Sequence, residues 1–294
     1  MQHLRRTHSQ RYMPGMQADW EGGIVCKFCV QHGKGNKWFH HIDNFEKKHL
    51  DDHQRLELSR AIYLDLAKEN IPASGFMTQY QVLFKGIPFL LKTPLVKHAI
   101  RPAVNRLVEQ YHIGQVITLE EACRVVDISG HVALFDCWCR RHKGNSEACC
   151  MGVGAFGDLA DDIPELKYIN ISPEEAKEIM EVYEEKGCFH SVWTVKPPFI
   201  STICNCDNKV CHGTEGLNLG ISSALHKGHE KASTDPQKCN GCGLCTSVCP
   251  FGARYEKDGL VVADIQACFG CGLCRHKCPQ GAISMKKDIQ DLRH

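Results

Sequence analysis

The chain has no long basic run and almost no net charge: 35 Lys and Arg against 34 Asp and Glu leave a formal charge of +1. That balance removes the electrostatic footprint of a protein that neutralises phosphate backbones, so nucleic acid is not expected as a partner. There is no run of about 18 apolar residues, the length a membrane-crossing helix needs. The nearest approach, residues 82–100, is broken by Lys85, Lys92, Lys97, Pro88 and Pro94 and reads as a buried or docking segment, with membrane-surface association as its other reading. The opening residues MQHLRRTHSQRYMPG lack the apolar core of a secretion signal, which points to the cytoplasm. A phosphate-cradling glycine loop is also missing. GVGAFG at 152–157 supplies glycines, but it follows a cysteine pair and is not expected to join a strand to a helix. No spacing supports a Ser–His–Asp arrangement.

What the chain has in excess is cysteine, 19 in 294 residues. Without a secretion signal, that density reads as metal ligation in a reducing compartment rather than as a disulfide framework. A hydrophobic content of 43% allows a substantial core, and the length suits about two domains.

Eight of the cysteines fall in two runs, KCNGCGLCTSVCP (238–250) and ACFGCGLCRHKCP (267–279), each C-x2-C-x2-C-x3-C-P. A constant offset of 29 residues relates them and also superposes Asp235 on Asp264, Gly241 on Gly270, Gly243 on Gly272 and Gly252 on Gly281. This spacing binds iron–sulfur clusters, and with two clusters the fourth cysteine of each run ligates the other's. One cluster is therefore assigned to Cys239, Cys242, Cys245 and Cys278, and the other to Cys268, Cys271, Cys274 and Cys249. Two zinc knuckles are the competing reading, disfavoured by the repeated x3-C-P closure. Over residues 233–287 the sequence resembles a bacterial-type two-[4Fe–4S] ferredoxin.

Seven further cysteines are bunched as Cys137-x-Cys139, Cys149-Cys150, Cys204-x-Cys206 and Cys211. Paired thiolates at this spacing suit a cluster or a soft metal, and Arg140 and Arg141 would balance their charge. The pattern is similar to a family of anaerobic iron–sulfur proteins that carry C-x-C-R, E-x-C, G-x-x-H and I-C-N-C-C ahead of a two-cluster ferredoxin. The matching residues are Cys137-x-Cys139-Arg140, Glu147-x-Cys149, Gly187-x-x-His190 and Ile203-Cys204-Asn205-Cys206, and the departure is Asp207. The resemblance implies an additional [4Fe–4S] cluster on Cys137, Cys139, Cys149 and one of Cys204 or Cys206. Zinc, or a reducible thiol group without metal, are the alternatives. His190 is either a neighbour of that site or an ordinary helix-end histidine.

Near the start, Cys26-x2-Cys29 precedes His32, His40, His41, His49 and His53. Structural zinc or another metal, a redox dithiol, haem, and plain solvated histidines all remain open for it. The predicted class is α+β. Residues 1–114 are a mostly helical region with the Cys/His group, 115–215 a small mixed cysteine-rich domain, 216–234 a linker, and 235–294 a two-cluster domain with pseudo-two-fold symmetry. In this reading the protein passes single electrons to or from redox proteins or oxidoreductase subunits. An oxidoreductase with its own substrate at the central cysteines and a redox sensor are the alternatives.

Overall fold

The computed structural model describes residues 27–67, 93–111, 113–220, 222–258 and 260–287. Its centre is a seven-stranded sheet of β1 (Gly114–Ile117), β2 (Val132–Asp136), β3 (Ala148–Val153), β4 (Tyr168–Ile171), β5 (Phe189–Thr194), β6 (Ile200–Cys206) and β7 (Leu225–His226), in the order β4-β2-β3-β6-β5-β1-β7. Neighbours are antiparallel except β1 and β7, which run parallel. Around it lie α1 (Lys27–His32), α2 (His53–Ala67), α3 (Pro94–Tyr111), α4 (Leu119–Ser129), α5 (Trp138–His142), α6 (Gly154–Asp158), α7 (Pro173–Glu185) and α8 (His212–Asn218). The chain is α+β, and no helix among the described residues is long and apolar enough to cross a membrane.

Both sheet faces are covered, and the period of two along each strand decides what each face meets. Val132 and Leu134 of β2 pack with Val125 and Val126 of α4 and Met180 of α7. Ala133 and Phe135 pack on the other side with Ile62 and Tyr63 of α2 and Phe156 of α6. Continuing the alternation past β2 puts Cys137 on this second face, and Cys204 and Cys206 lie opposite Ile203 on β6. Helices α4 and α7 are positioned by capping boxes. Thr118 accepts from the Glu121 N–H at 3.3 Å while the Glu121 carboxylate accepts from the Thr118 N–H at 2.8 Å, and Ser172 and Glu175 repeat the arrangement.

The described residues 27–67 pack into the cores on the two faces of the sheet. Tyr63 stacks on Phe156 with centroids 4.4 Å apart and donates its hydroxyl to the Phe156 carbonyl at 2.6 Å. The buried Trp38 donates its indole N–H to Gln115 on β1. Helix α2 begins only at His53, after three short 3-10 turns between Trp38 and Asp51. Local side-chain bonds compete with helix there: His41 accepts from the Asp43 N–H at 3.2 Å, and Asn44 donates to the carbonyls of Trp38 and His32 at 2.7 and 3.1 Å. Residues 82–92 of the apolar segment lie outside the described residues, and α3 carries the remainder, with Leu95 exposed.

The glycine stretch GVGAFG requires a correction, because it does join a strand, β3, to a helix, α6. Its glycines serve packing. A Cβ on Gly154 (φ +56°) would meet Phe45 at 2.9 Å, and one on Gly152 would meet the Tyr63 hydroxyl at 2.6 Å.

The C-terminal unit starts inside the large sheet's territory. Three residues separate β7 from β8 (Glu230–Thr234), which pairs antiparallel with β11 (Ile283–Lys287). Between them lie α9 (Leu244–Ser247), a hairpin of β9 (Arg254–Lys257) with β10 (Leu260–Ala263), and α10 (Leu273–His276). The stretch 216–234, read from sequence as a linker, thus carries β7, β8 and the end of α8.

Candidate metal centres

Two cavities in the C-terminal unit are lined by cysteine. Cys239, Cys242, Cys245 and Cys278 border one, and Cys249, Cys268, Cys271 and Cys274 border the other. Each run therefore gives its fourth cysteine to the other run's cavity. The local cause is backbone: Gly243 (φ +74°) and Gly272 (φ +83°) take left-handed conformations immediately before α9 and α10, turning the chain around each cavity. The two differ in exposure, since Cys239 and Cys242 are at the surface while Cys271 and Cys274 are buried. Arg254, which the sequence did not single out, borders both cavities. It is 4% exposed, donates to the Thr234 hydroxyl at 2.8 Å and lies 4.0 Å from the Cys245 sulfur. A fixed cation there offsets thiolate charge on both sides.

The central cysteines converge on the sheet face covered by α2 and α6. Cys150 on β3 is directly opposite Cys204 on β6. Pairing between β2 and β3 jumps from Phe135–Cys150 to Asp136–Ala148, leaving Cys149 as the extra residue of a bulge. A bulge re-aims a side chain that regular alternation would send to the far face. The sulfurs of Cys137, Cys149 and Cys150 accordingly lie within 4.8 Å of one another, all buried. Cys137 caps α5, with its N–H bonded to the Glu147 carbonyl at 2.9 Å. Strand β2 stops at Asp136, and Cys139 stands on α5.

Asp207 explains how Cys211 returns to the group. Its Oδ1 accepts from the N–H groups of Lys209 and Val210 at 2.8 and 3.2 Å, and its carbonyl accepts from the Cys211 N–H at 3.1 Å, folding the chain back toward Cys206. Its other oxygen pairs with Arg140 Nη2 at 3.5 Å. Arg140, 6% exposed, also pairs with Glu147 at 3.2 Å and donates to the Cys188 sulfur at 3.4 Å. Among the thiols, contacts from Cys139 and then Cys149, Cys150 and Cys206 pull Cys137 well below the usual range. Cys150 and Cys206 bring Cys204 down to about 5. Cys139, donating to Cys137 and held away from water, is pushed up.

Residues 238–283 match the 4Fe-4S dicluster domain family. A search of curated proteins finds no match to the chain. The dicluster match covers the C-terminal unit, and together with the cysteine-lined cavities it makes the chain an iron–sulfur protein with an electron-transfer role.

The dicluster domain is fastened to the sheet on the side of its buried cavity. Phe269, next to Cys268, stacks on Phe251 with centroids 4.2 Å apart, and Phe251 meets Phe189 of β5 at 5.0 Å. Phe189 is register partner to Cys206, and Cys206, Cys211 and Cys271 belong to one apolar core. Charge holds the rim: Arg275 pairs with Glu120, and His276 and Lys277 pair with Glu185.

His190 is fully buried but one step from the thiols. Its Nδ1 bonds Asn205 Oδ1 at 2.7 Å, and Asn205 donates to the Cys149 carbonyl at 2.9 Å. Burial lowers its pKa to about 4, so the ring is neutral. At the N-terminus, Cys26 lies outside the described residues. Cys29 is buried with its sulfur 3.2 Å from Nε2 of His229, a residue 200 positions away that sequence spacing could not suggest. The nearby histidines engage elsewhere: His40 the Glu121 carbonyl, His49 the Asp43 carbonyl, and His53 the Glu57 carboxylate.

Proposed function

We propose that the chain relays single electrons between an external redox protein and its own central thiol site, as a subunit or dedicated partner of an anaerobic oxidoreductase in a reducing, cytoplasmic compartment. Cys239, Cys242, Cys245 and Cys278 would hold one [4Fe–4S] cluster, and Cys249, Cys268, Cys271 and Cys274 the second. Cys137, Cys139, Cys149, Cys204 and Cys206 provide ligands for a further cluster. When bound, such clusters supply one-electron redox chemistry without bond changes at a substrate. The protein's own residues set direction. Cys239 and Cys242 face solvent, where a partner can approach, while Cys271 and Cys274 of the second cavity are buried.

The observation that carries this reading is the run of aromatic contacts Phe269–Phe251–Phe189, which links the second cavity to the strand bearing Cys206. Both unassigned carboxylate atoms of Asp207 are bonded, which removes the motive for an open substrate position at the central site.

The test is freeze-quench EPR of the anaerobically reconstituted protein after mixing with a reduced donor. Dicluster signals are expected first and the central signal later, with Phe251→Leu delaying the second step only. A central signal that appears at the same rate when Cys242→Ser disables the exposed cavity would overturn the relay. Cys137→Ser with Cys139→Ser should remove one signal and leave the dicluster pair.

A further inference from the structure

The 29-residue offset between the two cysteine runs also carries Arg254 onto Ile283 and Thr234 onto Ala263. The strand registers keep this correspondence, since Arg254 of β9 faces Ala263 of β10 while Ile283 of β11 faces Thr234 of β8. One half therefore places a cation where the other places a buried aliphatic side chain. The polar member of each pair bonds the other: Arg254 Nη1 donates to the Thr234 hydroxyl at 2.8 Å.

No oxygen near Arg254 answers its charge. Its other oxygen acceptor is the Ala232 carbonyl at 3.5 Å, and among the described residues no carboxylate pairs with it. A guanidinium that is 4% exposed is costly to bury without a counterion. What it touches instead are thiols from both cavities. It lies 4.0 Å from the Cys245 sulfur and also hydrogen-bonds Cys274. Burial opposes its charge, yet the thiols of Cys274 and Cys245 hold its pKa above the usual arginine value. Cys245 borders one cavity, Cys274 borders the other, and Arg254 lines both.

Resting on the proposed relay and its assignment of one [4Fe–4S] cluster to each cavity, we infer that Arg254, itself no ligand, is the counterion shared by the two clusters and raises both reduction potentials together. Thr234 fixes the guanidinium between Cys245 and Cys274, where water screens its charge poorly. Arg254 stays protonated throughout, so each cluster takes one electron with no proton moved and no bond changed. With the aliphatic residue of position 283 at both places, the unit would lack this counterion and need a stronger reductant.

The full-length protein, reconstituted anaerobically, is titrated with dithionite in the presence of redox mediators, and the potentials of the dicluster signals are read by EPR. Arg254→Ile copies the residue found at the equivalent position. Each reduction constant should fall about tenfold, a drop of about 59 mV for a one-electron couple, with iron content retained. Arg254→Lys keeps the charge without the planar fork and should recover most of both potentials. Unchanged potentials in Arg254→Ile overturn the proposal, and a drop confined to one cluster overturns the sharing. An equal drop in Arg254→Lys assigns the effect to packing and overturns it as well. If Arg254→Ile loses iron, Arg254→Gln is read in its place. Iron lost from both neutral variants but kept in Arg254→Lys shows the same need for charge at loading, whereas loss from all three overturns it. Failure of the relay itself shows elsewhere, as a central signal that does not follow the dicluster signals in the freeze-quench experiment.

Discussion

Replacing Arg140 with methionine should weaken the central site more than any other single change outside the cysteines. The guanidinium is 8% exposed and faces Glu147 at 3.2 Å and Asp207 at 3.5 Å, carboxylates that are themselves 30% and 29% exposed. At an effective dielectric of about 20, each pair is worth roughly 5 kcal/mol gross, most of which offsets the desolvation of the ions. Removing one partner of a buried pair usually costs about 3–5 kcal/mol because the other charge is left behind. Here both carboxylates reach water, and Glu147 keeps Lys186 at 2.9 Å. The expected loss is therefore about 2–3 kcal/mol, at or below the lower end of that range. Arg140→Lys should fall between, since it keeps the charge and loses the planar fork. The assay is guanidinium unfolding of the iron-loaded protein under anaerobic conditions, followed by visible absorbance and iron release. An Arg140→Met variant within about 0.5 kcal/mol of the parent, with unchanged iron content, would show that the countercharge argument is wrong.

Three other outcomes follow from the geometry. Gly270→Ala should impair iron loading severely, because its Cβ would fall 2.2 Å from the Glu230 carbonyl at φ +76°; Gly241→Ala, at φ +73° with nothing within 4 Å, should cost only the backbone strain. That strain is about 1–2 kcal/mol, so iron counts and melting curves of the two variants separate the contributions. Thr118→Ala removes one capping box and should lower stability by about 1 kcal/mol, read as a melting shift of roughly 2–4 °C. His190 has a folded pKa lowered by burial to about 4. The unfolded chain therefore takes up the proton first, and stability that is complete above about pH 6.5 declines as pH falls toward 4. By pH 5.5 the difference from His190→Gln should reach about 1.4 kcal/mol, and equal slopes for both proteins would refute the neutral, buried assignment.

Sequence and structure agree where the information is local. The dicluster cysteines sit in two short runs whose spacing and glycines encode the turns, and their grouping around two cavities needs only those runs. The capping boxes at Thr118 and Ser172 are local in the same sense, each joining residues three apart. The central thiols were legible as chemistry but not as geometry. Cys149 and Cys150 reach one site only because β2 and β3 slip register at Asp136, and nothing in CCMGV announces a bulge. Asp207 read as a lost ligand, yet it makes the turn that restores Cys211. The glycines of 152–157 were misplaced because a five-residue buried helix has too short a pattern to detect. His229 facing Cys29 across 200 residues is a tertiary contact that a single sequence cannot signal.

The pairing of β8 with β11 also sets an order on synthesis. All seven central thiols have been made once residue 211 has emerged, along with the strands that carry them. Neither dicluster cavity can be completed until the second cysteine run follows, because Cys278 closes the first and Cys268, Cys271 and Cys274 form most of the second. Strand β11 then seals the unit against a strand made about 50 residues earlier. The interior thiols are therefore complete on a growing chain while both dicluster cavities are still missing.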